Sequence, residues 1–213
     1  MTDFHLTTDS LLLAYANAYF PMAETATDDE LYWFSPDPRG ILPLDTFNIP
    51  RGLARFLPTH PFTLRVDSDF RATITACAEI NAKRTETWIN QRIIDLYCEL
   101  HAQGHAHSVE TWKDGTLVGG LYGVSLGGIF FGESMFSREP EASKVALVTL
   151  VEILREANYH LLDTQYVNPH LTQFGAVAMP KRTYKRKLEK ALNASPNPSS
   201  LFSTISVRKG LAS

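Results

Sequence analysis

Two stretches of this 213-residue chain set polar, proton-handling side chains among apolar ones. In FGESMFSR, residues 131–138, Glu133 follows Gly132 and is flanked by Phe130, Phe131, Met135 and Phe136. A carboxylate in such company needs a partner or a task, because burying an unpaired charge is costly. It could be an exposed residue at a strand end, a partner of Arg138, or part of a site. Ser134 is no nucleophile of the elbow type, which needs Gly two positions on, where this chain has Phe136. In LLDTQYVN, residues 161–168, strand alternation puts Asp163 and Gln165 on one face, about 7 Å apart, and Leu162, Thr164 and Tyr166 on the other. Asp163 and Gln165 are either a hydrogen-bonded structural pair or a site in which Asp163 orients Gln165 and a bound substrate.

Three further groups are candidates. GHAHS, residues 104–108, puts His105 and His107 on one strand face, with His101 one helical turn before. No acidic or Cys ligand lies at a recognised metal spacing, so hydrogen-bonded histidines are expected rather than zinc. YWFSPDPRG, residues 32–40, is a proline-stiffened corner that could present Trp33 or Arg39 to a ligand. KRTYKRKLEK, residues 181–190, holds six Lys/Arg and one Glu, a net of +5 that leaves −8 for the rest of a chain whose formal total is −3. The acidic total argues against a tight, non-specific nucleic-acid binder. The basic run is either a solvated helix face or a local phosphate-docking patch.

The elements that must position these residues can be read from pattern. A first helix is expected from Thr8 or Asp9 to before Pro21, with Leu11, Leu12, Ala14, Tyr15 and Tyr19 as its apolar stripe. Prolines 36, 38, 43, 50 and 58 predict short strands and turns over 31–58. A strand at 60–66 and helices over 68–81 and 87–103 follow, the second capped by Thr87 and closed by Gly104. Strands are expected at 105–112 and 116–124 about a Lys113-Asp114-Gly115 turn, and from Gly127 to about Glu133. A helix over 140–157 is apolar enough to be buried, and a strand at 161–167 and a short helix at 169–174 complete this part. The order gives an α+β fold with a mixed, mainly antiparallel sheet. From 105 onward that order is GNAT-like (acetyltransferase-like) by analogy of fold, and residues 193–213 read as a tail. No stretch has the length of a membrane span, and Cys77 and Cys98 suit a reduced, cytoplasmic protein.

Taken together, YWFSPDPRG, TWI at 87–89, GHAHSVETW, LVGGLYGVSLGGIFFGESMFSR, ASK at 142–144, LLDTQYVN, HLTQFGA and Pro180-Lys181-Arg182 resemble the leucyl/phenylalanyl-tRNA–protein transferases, in that family's order and spacing. The chain departs from the pattern at Met22, where many members have an aromatic. The resemblance implies transfer of Leu or Phe, and less well Met, from aminoacyl-tRNA to proteins beginning with Arg or Lys, which marks them for N-end-rule degradation. It implies a small N-terminal α/β domain over 1–60, a GNAT-like catalytic domain over 61–192, and a donor side-chain pocket with Leu121, Phe130, Met135 and Leu162 in its wall. The acceptor N-terminus would be bound by Glu133 and Asp163, and the catalytic pair would be Asp163 and Gln165. The tRNA body is expected on Lys181, Arg182, Lys185, Arg186 and Lys187, with Arg51 and Arg55 as weaker contacts.

Such a reaction asks little of a protein. The donor ester is already activated, and an α-amino group titrates at about 7.7–8.0, so one proton needs a destination. Neither a metal nor another cofactor is required. Two rivals remain: a coenzyme A-dependent N-acetyltransferase, and a non-catalytic module that binds basic N-termini. The first would need a Gly-rich turn before the long buried helix, where this chain has SREPEAS, without glycine and with two glutamates.

Overall fold

The computed structural model describes residues 6–28, 30–80 and 85–196. At the turn read from Lys113-Asp114-Gly115, Asp114 and Gly115 take φ of 49° and 77°. Two successive left-handed residues match the twist of the strands they join. The hairpin they close consists of β5 (Ala106–Lys113) and β6 (Thr116–Leu126), and β7 (Ile129–Ser137) adds to β6 antiparallel. The strand expected to stop near Glu133 thus runs four residues further, and Glu133 lies inside it.

The remaining elements, in chain order, start with α1 (Thr8–Ala16), β1 (Phe20–Met22), β2 (Tyr32–Phe34), β3 (Arg39–Leu42) and α2 (Arg51–Phe56). Then come β4 (Thr63–Val66), α3 (Phe70–Ala78), α4 (Gln91–Ala102), α5 (Ala142–Glu156), β8 (Leu161–Gln165), α6 (Pro169–Thr172), β9 (Val177–Met179) and α7 (Lys181–Leu192). Seven strands form one mixed sheet in the order β4-β5-β6-β7-β8-β3-β9, and β1 and β2 form a separate hairpin. All recorded pairings in the large sheet are antiparallel except β7 with β8. The fold is therefore α+β with a mostly antiparallel mixed sheet.

Several expectations are corrected. The first helix ends at Ala16, and Phe20–Met22 turns into a strand. Its cap is Thr7, whose side chain accepts from the Ser10 N–H while the Ser10 hydroxyl accepts from Thr7. The helix expected from Thr87 starts at Gln91, because the Asn90 side chain accepts from the Ile93 N–H at 2.8 Å. Residues 51–56 are helical rather than strand and turn, and β9 has no counterpart in the sequence reading. Strand β3, which falls within the 1–60 segment, is hydrogen-bonded between β8 and β9. Of the expected tail, residues 197–213 lie outside the described residues.

The sheet separates two apolar cores. Neighbours along a strand fall on opposite sides: Leu121 and Tyr122, Phe130 and Phe131, and Leu161 and Leu162 each divide between them. One core is filled mainly by α5, with Val145, Val148, Leu150, Val151 and Leu154 all at most 1 % exposed. The other receives α1, α3, α4 and α7 through Leu11, Tyr15, Ile74, Ile93, Tyr97, Tyr184 and Leu188. Among the described residues, no helix is long and apolar enough to cross a membrane.

Candidate active site

Strands β7 and β8 run parallel and pair through Ile129↔Leu161, Phe130↔Leu162 and Phe131↔Asp163. Both strands continue beyond that point, and a cavity of about 220 Å³ lies between their continuing halves. Leu121, Met135 and Leu162 line it, joined by Leu147 and Leu150 from α5 and by Leu171. These make the wall apolar. Polar groups enter from Glu133, Ser134, Thr164, Gln165 and Asn168. Phe130 packs in the same apolar cluster but is fully buried and is not part of the lining.

A break in strand register places Glu133. Gly123 opposes Gly132 and Tyr122 opposes Ser134, so no residue of β6 faces Glu133. An extra residue of this kind re-aims its side chain locally. Glu133 Oε1 accepts from the Tyr15 hydroxyl at 2.7 Å and from Gln165 Nε2 at 3.2 Å. The Tyr15 and Tyr97 hydroxyls share a further hydrogen bond, and Tyr97 also bonds to Glu133. Protein surrounds Glu133 except toward the cavity. Loss of water pushes its carboxyl from an ordinary 4.5 up to about 8, a rise that the Tyr15 bond opposes and the Asp163 charge assists. Glu133 is not paired with Arg138, which reaches Glu79 and the Leu117 carbonyl instead.

Asp163 faces away from the cavity and is fully buried. The Arg39 guanidinium grips it, with Nε 3.0 Å from Oδ1 and 3.1 Å from Oδ2, and Nη2 2.7 Å from Oδ2. The Tyr184 hydroxyl donates to Oδ2, and the Gln165 backbone N–H donates to Oδ1 at 2.7 Å. Arg39 Nη1 donates to the Ala18 carbonyl at 3.1 Å, and the guanidinium lies over the rings of Phe20 and Tyr184. Burial alone would lower the Arg39 pKa, but the Asp163 charge and hydrogen bonds outweigh it and raise it. Burial, then the Asp163 charge, raises the Tyr184 hydroxyl well above the usual phenol range.

Strand β8 ends at Gln165, whose φ is +56°. The left-handed turn removes its side chain from the strict alternation read in the sequence. Asp163 and Gln165 do meet, but through the Gln165 backbone, while the Gln165 amide reaches Glu133. Gly40 lies opposite, and a Cβ there would stand 2.5 Å from the Tyr166 carbonyl carbon. Only glycine permits that approach.

A family profile described as Leucyl/phenylalanyl-tRNA protein transferase matches residues 41–189, and the profile for the N-terminal domain of the same proteins matches residues 4–37. The chain belongs to the leucyl/phenylalanyl-tRNA–protein transferase family. A transferase of that name from Paramagnetospirillum magneticum is 54 % identical over 187 residues, covering 88 % of this chain and 90 % of its own. Another from Rhodopseudomonas palustris is 53 % identical over 187 residues, covering 88 % and 83 %. The solved structure of L-PGS from Bacillus licheniformis overlaps 94 % of this chain and 71 % of its own at 16 % identity, with a TM-score of 0.41, too loose a likeness to define the fold.

In this transferase-family chain the basic segment is α7. Tyr184, Leu188 and Ala191 bury one face, and Arg182, Lys185, Arg186 and Lys187 are exposed on the other. Lys181 is half-buried, its Nζ donating to the Ser35 carbonyl at 3.0 Å. Arg51 and Arg55 are exposed on α2, one helical turn apart. The histidines are engaged elsewhere: His107 Nδ1 lies 2.7 Å from Asp67 Oδ2 and His101 Nδ1 2.8 Å from the Ala106 carbonyl. No three His, Cys, Asp or Glu among the described residues group to hold a metal ion. Trp33 is exposed, while Arg39 is 1 % exposed and turned inward rather than presented to a ligand.

Sequence reasoning does not mark Tyr97, Tyr184 or Leu171, and it reads Leu147 and Leu150 only as part of the apolar face of the helix over 140–157. It placed Tyr15 in an apolar stripe only. At the start of α5, Glu141 takes φ +66° and the Ser143 N–H is already satisfied by the Ser137 hydroxyl at 3.2 Å. Together with the charges of Glu139 and Glu141, this makes a poor pyrophosphate cradle.

Proposed function

We propose that this protein transfers Leu or Phe, and less well Met, from aminoacyl-tRNA to the α-amino group of proteins beginning with Arg or Lys. The reading includes N-end-rule marking and a cytoplasmic location, the latter in keeping with Cys77 and Cys98 as thiols rather than disulfides. The observation that carries it is the composition of one cavity: leucines and a methionine form part of its lining, and Glu133 and Gln165 another part. An apolar donor side chain fits the first surface, and a cationic chain end fits the second.

The chemistry follows from those two surfaces. The amine nitrogen attacks the ester carbonyl carbon, the N–C bond forms, and the bond to the ribose oxygen breaks. The amine gives up a proton and the ribose oxygen takes one. With Nε2 donating to Glu133, the Gln165 amide keeps an oxygen and a second N–H for the substrate. Glu133 is held near neutrality while the site is empty. An arriving guanidinium or ammonium favours its ionised form, so the acceptor would create the charge that binds it and that can take up its proton. Asp163 is assigned an orienting role, because its oxygens already accept from Arg39, Tyr184 and Gln165.

The segment over 61–192 is taken as the acetyltransferase-like catalytic unit and residues 1–60 as a small N-terminal unit, with β3 lent to the large sheet. The tRNA body is taken to dock on α7, with Arg51 and Arg55 as further contacts.

The test is transfer of labelled Leu from charged tRNA to an Arg-ended peptide. Glu133→Ala should reduce transfer by roughly 10²-fold, the range of a lost proton-transfer group. Wild-type rates in that variant would remove Glu133 from the acceptor site. Labelled acetyl-coenzyme A offered to the same peptide should give no product.

A further inference from the structure

Asp163 lies where three separated parts of the chain meet, and nothing in the assigned chemistry explains so complete an enclosure. A carboxylate offers about four lone-pair sites. Here Oδ1 accepts from Arg39 Nε and the Gln165 N–H, and Oδ2 accepts from Arg39 Nη2 and the Tyr184 hydroxyl. The group is 0 % exposed, so a substrate proton has neither a route to it nor a free oxygen on it. What Asp163 does reach toward the cavity is one backbone N–H, at a residue whose φ of +56° is unusual for glutamine. That N–H is fixed at 2.7 Å, and the side chain of the same residue donates to Glu133 at 3.2 Å.

We propose that Arg39 and Tyr184 are positioning residues. They occupy the Asp163 carboxylate, Asp163 fixes the Gln165 backbone in its left-handed turn, and the turn aims the Gln165 amide at Glu133 inside the cavity. This rests on the reading of Gln165 and Glu133 as the groups that meet the substrates. Arg39 suits the task because its planar fork sets the carboxylate's orientation, which a lysine ammonium cannot do. Tyr184 suits it because it stands on the buried face of α7, whose outer face carries Lys185, Arg186 and Lys187. The helix assigned to the tRNA body is thereby bonded to the residue that sets the catalytic turn.

The variants are Arg39→Lys and Tyr184→Phe, both compared with wild type well below their melting temperatures and normalised to folded protein. In the labelled-Leu assay, kcat should fall about 10- to 100-fold for Arg39→Lys and about 3- to 10-fold for Tyr184→Phe, the scale of a sub-ångström to ångström misplacement. KM for both substrates should stay within about twofold, and the pH–kcat profile should keep its midpoint, since no titrating group has been removed from the reaction. Wild-type kcat in both variants would overturn the proposal. A second readout is independent of activity: hydrogen exchange of the Gln165 N–H should accelerate in both variants. Unchanged protection overturns the positioning role whatever the kinetics. Accelerated exchange supports the role even if the wild type transfers no Leu, in which case the transfer reading alone is lost.

Discussion

The centre of this molecule is a contrast between two carboxyl groups. Asp163 is buried against a guanidinium and held by four donors, while Glu133 stands at the cavity wall with hydroxyl and amide donors only. Environment separates their roles. The raised Glu133 pKa carries a stability signature. The folded state keeps a proton that the unfolded chain releases near 4.5, so the native state binds more protons between 4.5 and about 8. Stability is therefore full below the lower value and is lost as pH rises through the upper one. Glu133→Gln removes that dependence. The melting temperature of the wild type should fall relative to this variant by on the order of a few °C across the window, measured by thermal denaturation at successive pH values. A flat difference would contradict the assignment. Sequence alone marked Glu133, Asp163 and Gln165, because polar residues among apolar ones are conspicuous. It could not mark the partner of Asp163, since Arg39 lies 124 positions away and its segment reads equally well as an exposed corner.

At the scale of elements, irregularities rather than regular strands build the site. The register slip at Glu133 turns one side chain, and the shift between Gly40 and Ile41 lets β3 pass close to the turn at Gln165 and Tyr166. Gly40→Ala would place a methyl group 2.5 Å from the Tyr166 carbonyl carbon. The strands must part, at a cost of about 1–3 kcal/mol, and chemical denaturation should register that loss together with slower transfer. The hairpin at 113–115 and the helix after Pro140 were legible because their signals are local: a turn dipeptide in one case, continuous apolar character in the other. Helix α2 was hidden by its brevity, the surrounding prolines and the absence of a side-chain cap. Strand β9 is three residues long and, among the described residues, pairs only with β3, so distant hydrogen bonds rather than its own residues define it. The second half of β7 was lost to the reading because alternation fails where the register slips.

Across the whole molecule, charge is divided between a basic helix and an acidic remainder. The formal total of −3 conceals the +5 carried by residues 181–190. With Arg182, Lys185, Arg186 and Lys187 exposed on α7, local phosphate contact needs no overall positive charge. Replacing Lys185, Arg186 and Lys187 by Ala should weaken tRNA binding and flatten the slope of log affinity against log salt by about 2–3, as roughly 0.7–0.9 is lost per phosphate contact. Titration at several salt concentrations measures this, and an unaltered slope would move the docking surface elsewhere. The α+β class and the mainly antiparallel mixed sheet were readable at this scale, whereas the dependence of the sheet on residues 39–42 was not.

That dependence reaches into the protein's synthesis. Strand β3 emerges from the ribosome early, yet both of its neighbours, β8 and β9, are made near the end. Until they arrive, the nascent chain carries an arginine with no counter-ion and a strand with both edges open. Pairings this distant in sequence form late and slowly. A chain cut short between Tyr166 and Val177 therefore has both acidic residues and Arg39 but lacks β9 beside β3 and the Tyr184 hydroxyl on Asp163.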